Sequence, residues 1–541
     1  MTTRRLLVTS ALPYANGPIH VGHLVEYIQT DIWVRFQKMM GHECRYMCAD
    51  DTHGTPVMLS ARRQGISTGE LIGRMHAEHL RDFGDFLIEF DNYYSTDSQE
   101  NRLLAEEIYL KARERGYIYE KDVEQYRCEA CGIFLPDRFI RGTCPSCGAP
   151  DQYGDSCEAC SATYAPTDLG SPTCAECGRP PVLRASTHHF FRLTALEAEL
   201  KAWMEGARLR EEIRNKLQEW FEQGLRDWDI SRDAPYFGFL IPGTADKYFY
   251  VWMDAPIGYM ASTMEWCRRM GRDFDGIWRS GDWEIYHFIG KDIMYFHTLF
   301  WPAMLMVAGF RTPTRVNVHG FLTVNGVKMS KSRGTFIRAR TYLERLNPEF
   351  LRYYYAAKLT PAAEDLDLNL EDFVLRVNAD VVNKLVNIGS RLGGIVNRKL
   401  EGRLSAPHPD ARPVLEAIRG AAPRVAEHYQ GLEYGKAVRE VMGLADLANR
   451  YIDESAPWEV LKTDPPRARE ICTAGLEMFR LLVILLQPIL PVIARRAGEF
   501  LNAPTLLWSD LDAPLAHGAL NPYSMLATRV TLEEVQGLIG S

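Results

Sequence analysis

Two short stretches of this chain put polar side chains where a hydrophobic core has no use for them. His20-Val21-Gly22-His23 follows an apolar run, Leu6 to Leu12, that is broken by Pro13, Gly17 and Pro18. Two imidazoles spaced i, i+3 lie on one side of a helix's first turn. A helix that starts directly after a strand also offers free N–H groups and partial positive charge to a phosphate. Gly22 between the imidazoles lets a backbone or a base approach closely. The second stretch, Asn325-Gly326-Val327-Lys328-Met329-Ser330-Lys331-Ser332-Arg333-Gly334, places two lysines three apart in a Ser/Gly-rich loop, which suits a clamp for a triphosphate. Taken singly, each is an ordinary solvated feature; taken together they point to one polyphosphate site.

The cysteines carry a different chemistry. Of 12, eight form four C-x-x-C pairs, Cys128/Cys131, Cys144/Cys147, Cys157/Cys160 and Cys174/Cys177. A disulfide framework suits small secreted chains, so this spacing points to two tetrahedral zinc sites of four thiolates each. Such sites are structural, because no coordination position is left open for water. The two halves of the cluster look like a duplicated unit, and the spacing permits pairing within each repeat or a nested arrangement.

These groups need elements to position them. Arg4 to Leu12 reads as a strand, and His23 to Met39 as a helix with Leu24, Ile28, Ile32 and Phe36 on one face. Cys44 to Ala49 reads as a second strand ending at Asp50-Asp51. Strand, loop, helix, strand predicts an α/β fold with a doubly wound parallel sheet, whose ligands sit beyond the carboxyl ends of its strands. Strand-like runs return at Lys247 to Trp252, Trp283 to Ile289 and Arg315 to Val318, so the sheet is split by the cysteine-bearing insertion. From about residue 372 long amphipathic segments, with Val381, Leu385, Ile388 and Leu392 on one face, predict an all-α bundle.

At 541 residues the chain must divide into several units. We expect a first half of the sheet domain at 1–115, the insertion at 116–235, the second half at 236–325, the lysine loop and a following region at 326–385, and the bundle at 386–541. A hydrophobic share of 46% and a charged share of 24% are those of a soluble globular protein. The net charge of -8 leaves no global footprint for nucleic acid, so any polyanion site must be local. The run Leu481 to Ala494, interrupted by Gln487, Pro488 and Pro491, is too short to span a membrane. The N-terminal apolar run is too short for a secretory signal, and a cytoplasmic location is expected.

"HVGH" and "KMSKS" resemble the two defining motifs of class I aminoacyl-tRNA synthetases, with Val21 as a one-residue aliphatic variant of the commonest form. The stretches "TSALPYANGPIHVGH", "YVWMDAPIGYM", "HFIGKDIMYFHTLFWPAML" and "VNGVKMSKSRGTF" are similar to the methionyl-tRNA synthetase family. The resemblance implies a Rossmann-like sheet of the HUP type and a two-step reaction. L-methionine attacks ATP to form methionyl-adenylate, and tRNA(Met) then takes the acyl group. It assigns catalysis to His20, Gly22, His23, Lys328 and Lys331, and ATP binding to these histidines and lysines with Gly290, Lys291, Asp292 and Ser330. It surrounds methionine with Leu12, Tyr14, Asp51, Trp252, Ala255, Pro256, Tyr259, Ile293 and His297. A thioether suits such apolar and aromatic walls, and Asp51 would hold the ammonium group.

The resemblance further implies Mg2+ with ATP, one or two structural Zn2+ ions with two favoured, and nested pairing. In the nested scheme Cys144, Cys147, Cys157 and Cys160 hold one ion and Cys128, Cys131, Cys174 and Cys177 the other. It gives the anticodon to Asn387, Arg391 and Trp458. A chain that ends soon after the bundle, without the oligonucleotide-binding module that many members append, is expected to be a monomer. Two alternatives stand beside this reading. Another class I synthetase, such as the cysteinyl enzyme, would set metal ligands in the amino-acid pocket, whereas these cysteines are segregated. A non-catalytic zinc-knuckle RNA-binding protein would have no need of His20, His23, Lys328 and Lys331.

Overall fold

The computed structural model describes residues 3–136, 139–154, 157, 159–160, 162, 164, 166–329 and 335–539. Strand β1 (Arg5–Ser10) is buried along nearly its whole length and runs parallel to two neighbours. On one side lies β2 (Glu43–Asp50), followed outward by β3 (Asn92–Ser95); on the other lies β4 (Glu284–Gly290), followed by β5 (Arg315–His319). The order β5-β4-β1-β2-β3 is parallel throughout, with Val8 opposite both Tyr46 and Tyr286. Strand order reverses between β1 and β4, which is where a doubly wound sheet opens a crevice beyond its carboxyl ends.

Helix α1 (Val21–Met39) connects β1 to β2. The expected apolar face Leu24, Ile28, Ile32 and Phe36 is buried, but so is most of the opposite face, including Glu26, Gln29, Asp31 and Gln37. The helix is enclosed because it lies between the sheet and the C-terminal bundle, and several of its buried polar groups meet partners from outside the helix. Gln37 donates to Gln430 Oε1 at 2.8 Å, and Tyr434 donates to the Gln29 carbonyl at 2.8 Å. Asp31 Oδ2 accepts from Arg352 Nη2 and from Arg35 Nε, both at 2.7 Å. Arg352, fully buried, also donates to the carbonyls of Pro488 at 2.9 Å and Ile489 at 3.0 Å.

One strand expectation is corrected. Lys247 to Trp252 does not enter the parallel sheet: Lys247–Phe249 pairs antiparallel with Ser231–Asp233, and Val251–Asp254 is a helical turn. The position beside β1 is taken by β4, and Lys247 is held locally by its ion pair with Asp233.

The insertion leaves the sheet domain as a long ribbon. Ile118–Cys128 pairs antiparallel with Val182–Phe191 from Ile118/Phe191 to Arg127/Val182, and the cysteine pairs are carried at its far end. The bundle includes Asn387–Lys399, Arg412–Gln430, Tyr434–Ser455, Pro465–Leu486 and Pro491–Leu501. The apolar run from Leu481 is its centre, and among the described residues no helix is long and apolar enough to cross a membrane.

Breaking a buried, hydrogen-bonded ion pair by removing one partner costs about 3–5 kcal/mol. Arg352→Met is therefore expected to lower the free energy of unfolding by that order, read as a lower midpoint in urea. The double variant Asp31→Asn/Arg352→Met is expected to lose less than the sum of its singles, because the two groups share one network.

Candidate active site

Beyond the carboxyl ends of β1, β2 and β4 the chain encloses a cleft of about 980 Å³. His20 is the N-cap of α1, in extended conformation (φ -130°, ψ 166°), so the Pro-rich turn delivers the chain directly into the helix. His20 Nδ1 accepts from the His23 N–H at 3.3 Å, and His23 Nδ1 accepts from the His20 N–H at 3.4 Å. The rings stack at 3.6 Å with 19° between planes. With both Nδ1 atoms accepting, each neutral ring carries its proton on Nε2. Burial, and then His20 and His79, hold His23 well below the ordinary histidine pKa.

The lysine arm closes over this turn. Leu322–Val324 and Val327–Lys328 form a hairpin through Asn325 (φ +49°) and Gly326 (φ +73°), a left-handed pair that suits a two-residue turn. Lys328 is exposed at its end and lines the cleft. Met329 reaches across to Gly22, where an added Cβ would lie 2.4 Å from the Met329 methyl carbon. Behind the arm, Val21 N–H donates to the Ile337 carbonyl at 3.0 Å and Phe336 sets its ring against His20 at 5.0 Å. Ser330 and Lys331 lie outside the described residues. Gly290, Asp292 and Ile293 line the cleft at the end of β4. Lys291 does not join them: its ammonium turns to Asp365 Oδ1 at 2.6 Å and lies over the Phe321 ring.

All nine residues expected around an amino acid line the same cleft. Asp51 is 8% exposed, and its Oδ1 has no hydrogen-bond partner. Burial, then the nearby Asp254, push its pKa well above the carboxylate range. An orphaned buried carboxylate is costly unless a cation meets it. Around it the walls are aromatic and uncharged. Tyr259 donates to His297 Nε2 at 2.8 Å, His297 Nδ1 donates to the Ile293 carbonyl at 3.1 Å, and burial pushes His297 down to about 4.

Other residues complete the site without having been legible in the chain. Phe296 stacks on Trp252 at 4.1 Å and 15°. Behind Tyr259, His287 accepts from the Trp301 indole N–H at 3.1 Å and donates to Thr9 Oγ1 at 2.5 Å. Glu26, one turn beyond His23, meets His319 Nε2 at 3.1 Å. Its i, i+3 spacing from His23 was the available signal. His53, held up at about 10 by Asp254 and Asp97 against its burial, balances the two carboxylates Asp51 and Asp254. Arg232 lays its guanidinium over Tyr250 at 3.6 Å at the cleft's edge.

The eight cysteines converge as two groups, Cys128/Cys131/Cys174/Cys177 and Cys144/Cys147/Cys157/Cys160, the nested pairing. The ribbon dictates it by bringing Cys128 and the start of the Val182 strand together. Sulfur atoms stand 3.5, 3.6 and 3.8 Å apart in Cys128/Cys177, Cys147/Cys157 and Cys144/Cys160. A tetrahedron with Zn–S bonds of about 2.3 Å has edges of about 3.8 Å, so the donor sets fit zinc. Against burial, the Cys131 N–H and neighbouring thiols hold Cys128 at about 7, and the Cys147 and Ser146 N–H groups hold Cys144 at about 6, while Cys131 and Cys147 are pushed up to about 12 by the thiols beside them, so within each set the first proton leaves one favoured thiol. A thiol so held is readily deprotonated for a metal. Arg62 pairs with Glu176 and Leu59 packs on the ribbon's apolar cluster, which fixes the knuckles to the sheet domain.

In the bundle, Asn387 and Arg391 lie four apart on Asn387–Lys399, and the Arg391 guanidinium covers the Trp458 ring at 4.7 Å while bonding Asp453 at 3.0 Å. These three expected residues thus share one surface, far in sequence from the cleft.

Comparisons with known proteins agree along the chain. The family model described as tRNA synthetases class I (M) matches residues 6–393, and that described as the anticodon binding domain of methionyl tRNA ligase matches residues 406–532. Among solved structures, Mycobacterium tuberculosis methionyl-tRNA synthetase in complex with methionyl-adenylate is 26% identical, with a TM-score of 0.80 over 97% of this chain and 99% of that one. The apo form of the enzyme from that organism is 25% identical, with a TM-score of 0.72 over 98% of this chain and 99% of that one.

His297 has a measurable consequence for stability. It is neutral in the fold, whereas in the unfolded chain it protonates near the ordinary 6.5. The unfolded state therefore binds the extra proton, and stability falls as pH drops from about 6.5 towards about 4, by up to about 3 kcal/mol. His297→Gln is expected to remove this component, read as a smaller loss of unfolding midpoint between neutral and acid buffer than the unsubstituted protein shows.

Proposed function

The chain belongs to the class I tRNA synthetases of the methionine type, and on that premise we propose that it activates L-methionine with ATP and transfers it to tRNA(Met). The observation that carries this reading is the meeting, in one cleft, of the His20–His23 turn, the Lys328 arm and an aromatic pocket around an unpaired buried carboxylate. In the first step a methionine carboxylate oxygen attacks the α-phosphorus of ATP, the bond to the β-phosphate oxygen breaks, and pyrophosphate leaves. In the second, a ribose hydroxyl of the tRNA's terminal adenosine attacks the carbonyl carbon and AMP leaves. Neither step requires a protein nucleophile, so the gain comes from positioning and from stabilising charge on phosphorus.

In this reading Asp51 takes the ammonium group. Leu12, Tyr14, Trp252, Ala255, Pro256, Tyr259, Ile293 and His297 enclose the side chain. His297, neutral near pH 7, presents no charge to the thioether, which is apolar and only a weak acceptor. The Nε2–H groups of His20 and His23 and the N-terminus of α1 would donate to phosphate oxygens, and Gly22 leaves room for the nucleotide once Met329 withdraws. Lys328, with Lys331 and Ser330 of the same loop, would neutralise the leaving pyrophosphate. Gly290 and Asp292 would edge the nucleotide, and Lys291 would have to exchange Asp365 for phosphate to take part. Mg2+ would accompany ATP and neutralise its phosphates. Two structural Zn2+ ions, held by the nested cysteine sets, would stiffen the insertion over the cleft, and Asn387, Arg391 and Trp458 would read the anticodon by hydrogen bonding and stacking. The reading includes a monomer and a cytoplasmic location.

Exchange of labelled pyrophosphate into ATP is expected with methionine and not with cysteine or leucine; zinc-replete folded protein that exchanges with none of them would sink the reading. Asp51→Asn, which removes a hydrogen bond to a charged group, is expected to lower kcat/KM for methionine by about 10- to 100-fold. Metal analysis of protein purified without chelator is expected to find two zinc ions per chain.

A further inference from the structure

A second buried cluster lies behind the His20–His23 turn, outside the cleft. Helix Thr68–Asp85 packs His76 and His79 against the last residue of β2, Asp50. The Asp50 carboxylate accepts from His76 Nδ1 at 2.7 Å, His79 Nδ1 at 2.6 Å and the Tyr93 hydroxyl at 2.5 Å. His79 is fully buried, and its other nitrogen, Nε2, lies 2.8 Å from the carbonyl oxygen of Gly17 in the turn between β1 and α1. An ionised carboxylate and an amide carbonyl can only accept. A neutral imidazole has one N–H, so it would leave two lone pairs facing each other at one of these contacts. Both contacts are satisfied only when His79 carries two protons.

We propose that His79 is a positioning residue: a buried imidazolium that ties the Gly17 carbonyl to the end of β2 and so fixes the spacing between the phosphate-binding turn and Asp51, the next residue after Asp50. The proposal rests on the reading of the cleft given above. Other groups facing His79 are Glu78 and His76 on its own helix, Tyr93 on β3 and His23 on α1. The fit of charge is consistent on both sides: against burial, the hydrogen bonds from His76 and His79 hold Asp50 low, and Asp50 and then the Gly17 carbonyl hold His79 above the ordinary value. A raised histidine pKa contributes stability fully below the unfolded value of about 6.5 and loses it as pH rises through the folded value, so the lock loosens on the alkaline side.

The two contacts separate by substitution. The amide of His79→Asn overlays Nδ1 and keeps Asp50 while losing Gly17; that of His79→Gln overlays Nε2 and keeps Gly17. In methionine-dependent pyrophosphate exchange, His79→Asn is expected to lower kcat about tenfold or more, with KM for methionine changed less than about threefold, while His79→Gln loses clearly less. Equal losses in the two variants, or none in His79→Asn, would overturn the positioning role. In the unsubstituted protein, nitrogen NMR of labelled histidine is expected to show both His79 nitrogens protonated at neutral pH. A neutral tautomer there would overturn the proposal. Absence of exchange in the unsubstituted protein would instead count against the enzyme reading, and the NMR result would still decide the charge of His79.

Discussion

Arg352 and Asp31 meet where no water reaches either charge, and the rest of the molecule is arranged around that meeting. A buried ion pair is tolerable only when its remaining donors and acceptors are also satisfied. Here they are: Arg35 supplies the second cation, and the carbonyls of Pro488 and Ile489 accept from the guanidinium. On the helix that carries Arg352, Pro348–Lys358, Glu349 accepts the N–H groups of Val492 and Ile493 at 2.8 and 3.1 Å, capping Pro491–Leu501. The turn at 487–490 is thereby bonded to the middle of α1. Because His20 caps one end of α1 and Asp31 sits near its middle, the element that begins at the His20–His23 turn is also the one that anchors the bundle. That helix joins the turn at the cleft to the bundle that carries the Arg391–Trp458 surface.

The cleft itself separates charge by position. Its aromatic side is kept neutral: burial holds His287 and His297 unprotonated, and each spends its two ring nitrogens on fixed partners. Its polar side concentrates carboxylates, Asp51 and Asp254, with His53 as their internal counter-ion. On that side Asp51 Oδ1 has no hydrogen-bond partner, and neither have Asp254 Oδ1 and Glu26 Oε1. A site built this way favours a ligand with a cationic group beside Asp51 and an uncharged, apolar side chain among the aromatic faces.

The knuckled insertion is held at two levels. Its ribbon extends by pairing with Trp228–Asp229 into a sheet of its own, separate from the parallel sheet, and its tip meets the sheet domain at Arg62–Glu176 and Leu59. Val123 to Tyr126 of the ribbon line the cleft, so the insertion forms part of its wall. Two four-thiolate sites at the tip would fix a segment whose own apolar cluster is small, since a metal can supply folding energy that so small a core cannot.

Local rules fixed what depends on neighbours along the chain. A Pro/Gly turn between an apolar strand and a periodic helix specifies a strand-to-helix junction, and C-x-x-C at fixed spacing specifies knuckles. The residues carrying the resemblance were readable for the same reason, each motif being a contiguous stretch. The nine residues named for the pocket lie together in the lining of the cleft. What tertiary structure alone decided depends on partners far away in sequence. Asp31 and Gln37 lie off the apolar face of α1, yet are buried because Arg352 and Gln430 meet them there. Lys291, inside a readable motif, turns away because Asp365 lies within reach. Lys247 to Phe249 has the composition of a core strand but pairs locally, since β4 already occupies the edge of β1. The charge of His79 follows from a carbonyl 62 residues away in sequence. Periodicity records which residues can be buried; which charges meet is set by packing, because an ion pair or a protonated ring is stable in a core only where the fold supplies every partner at once.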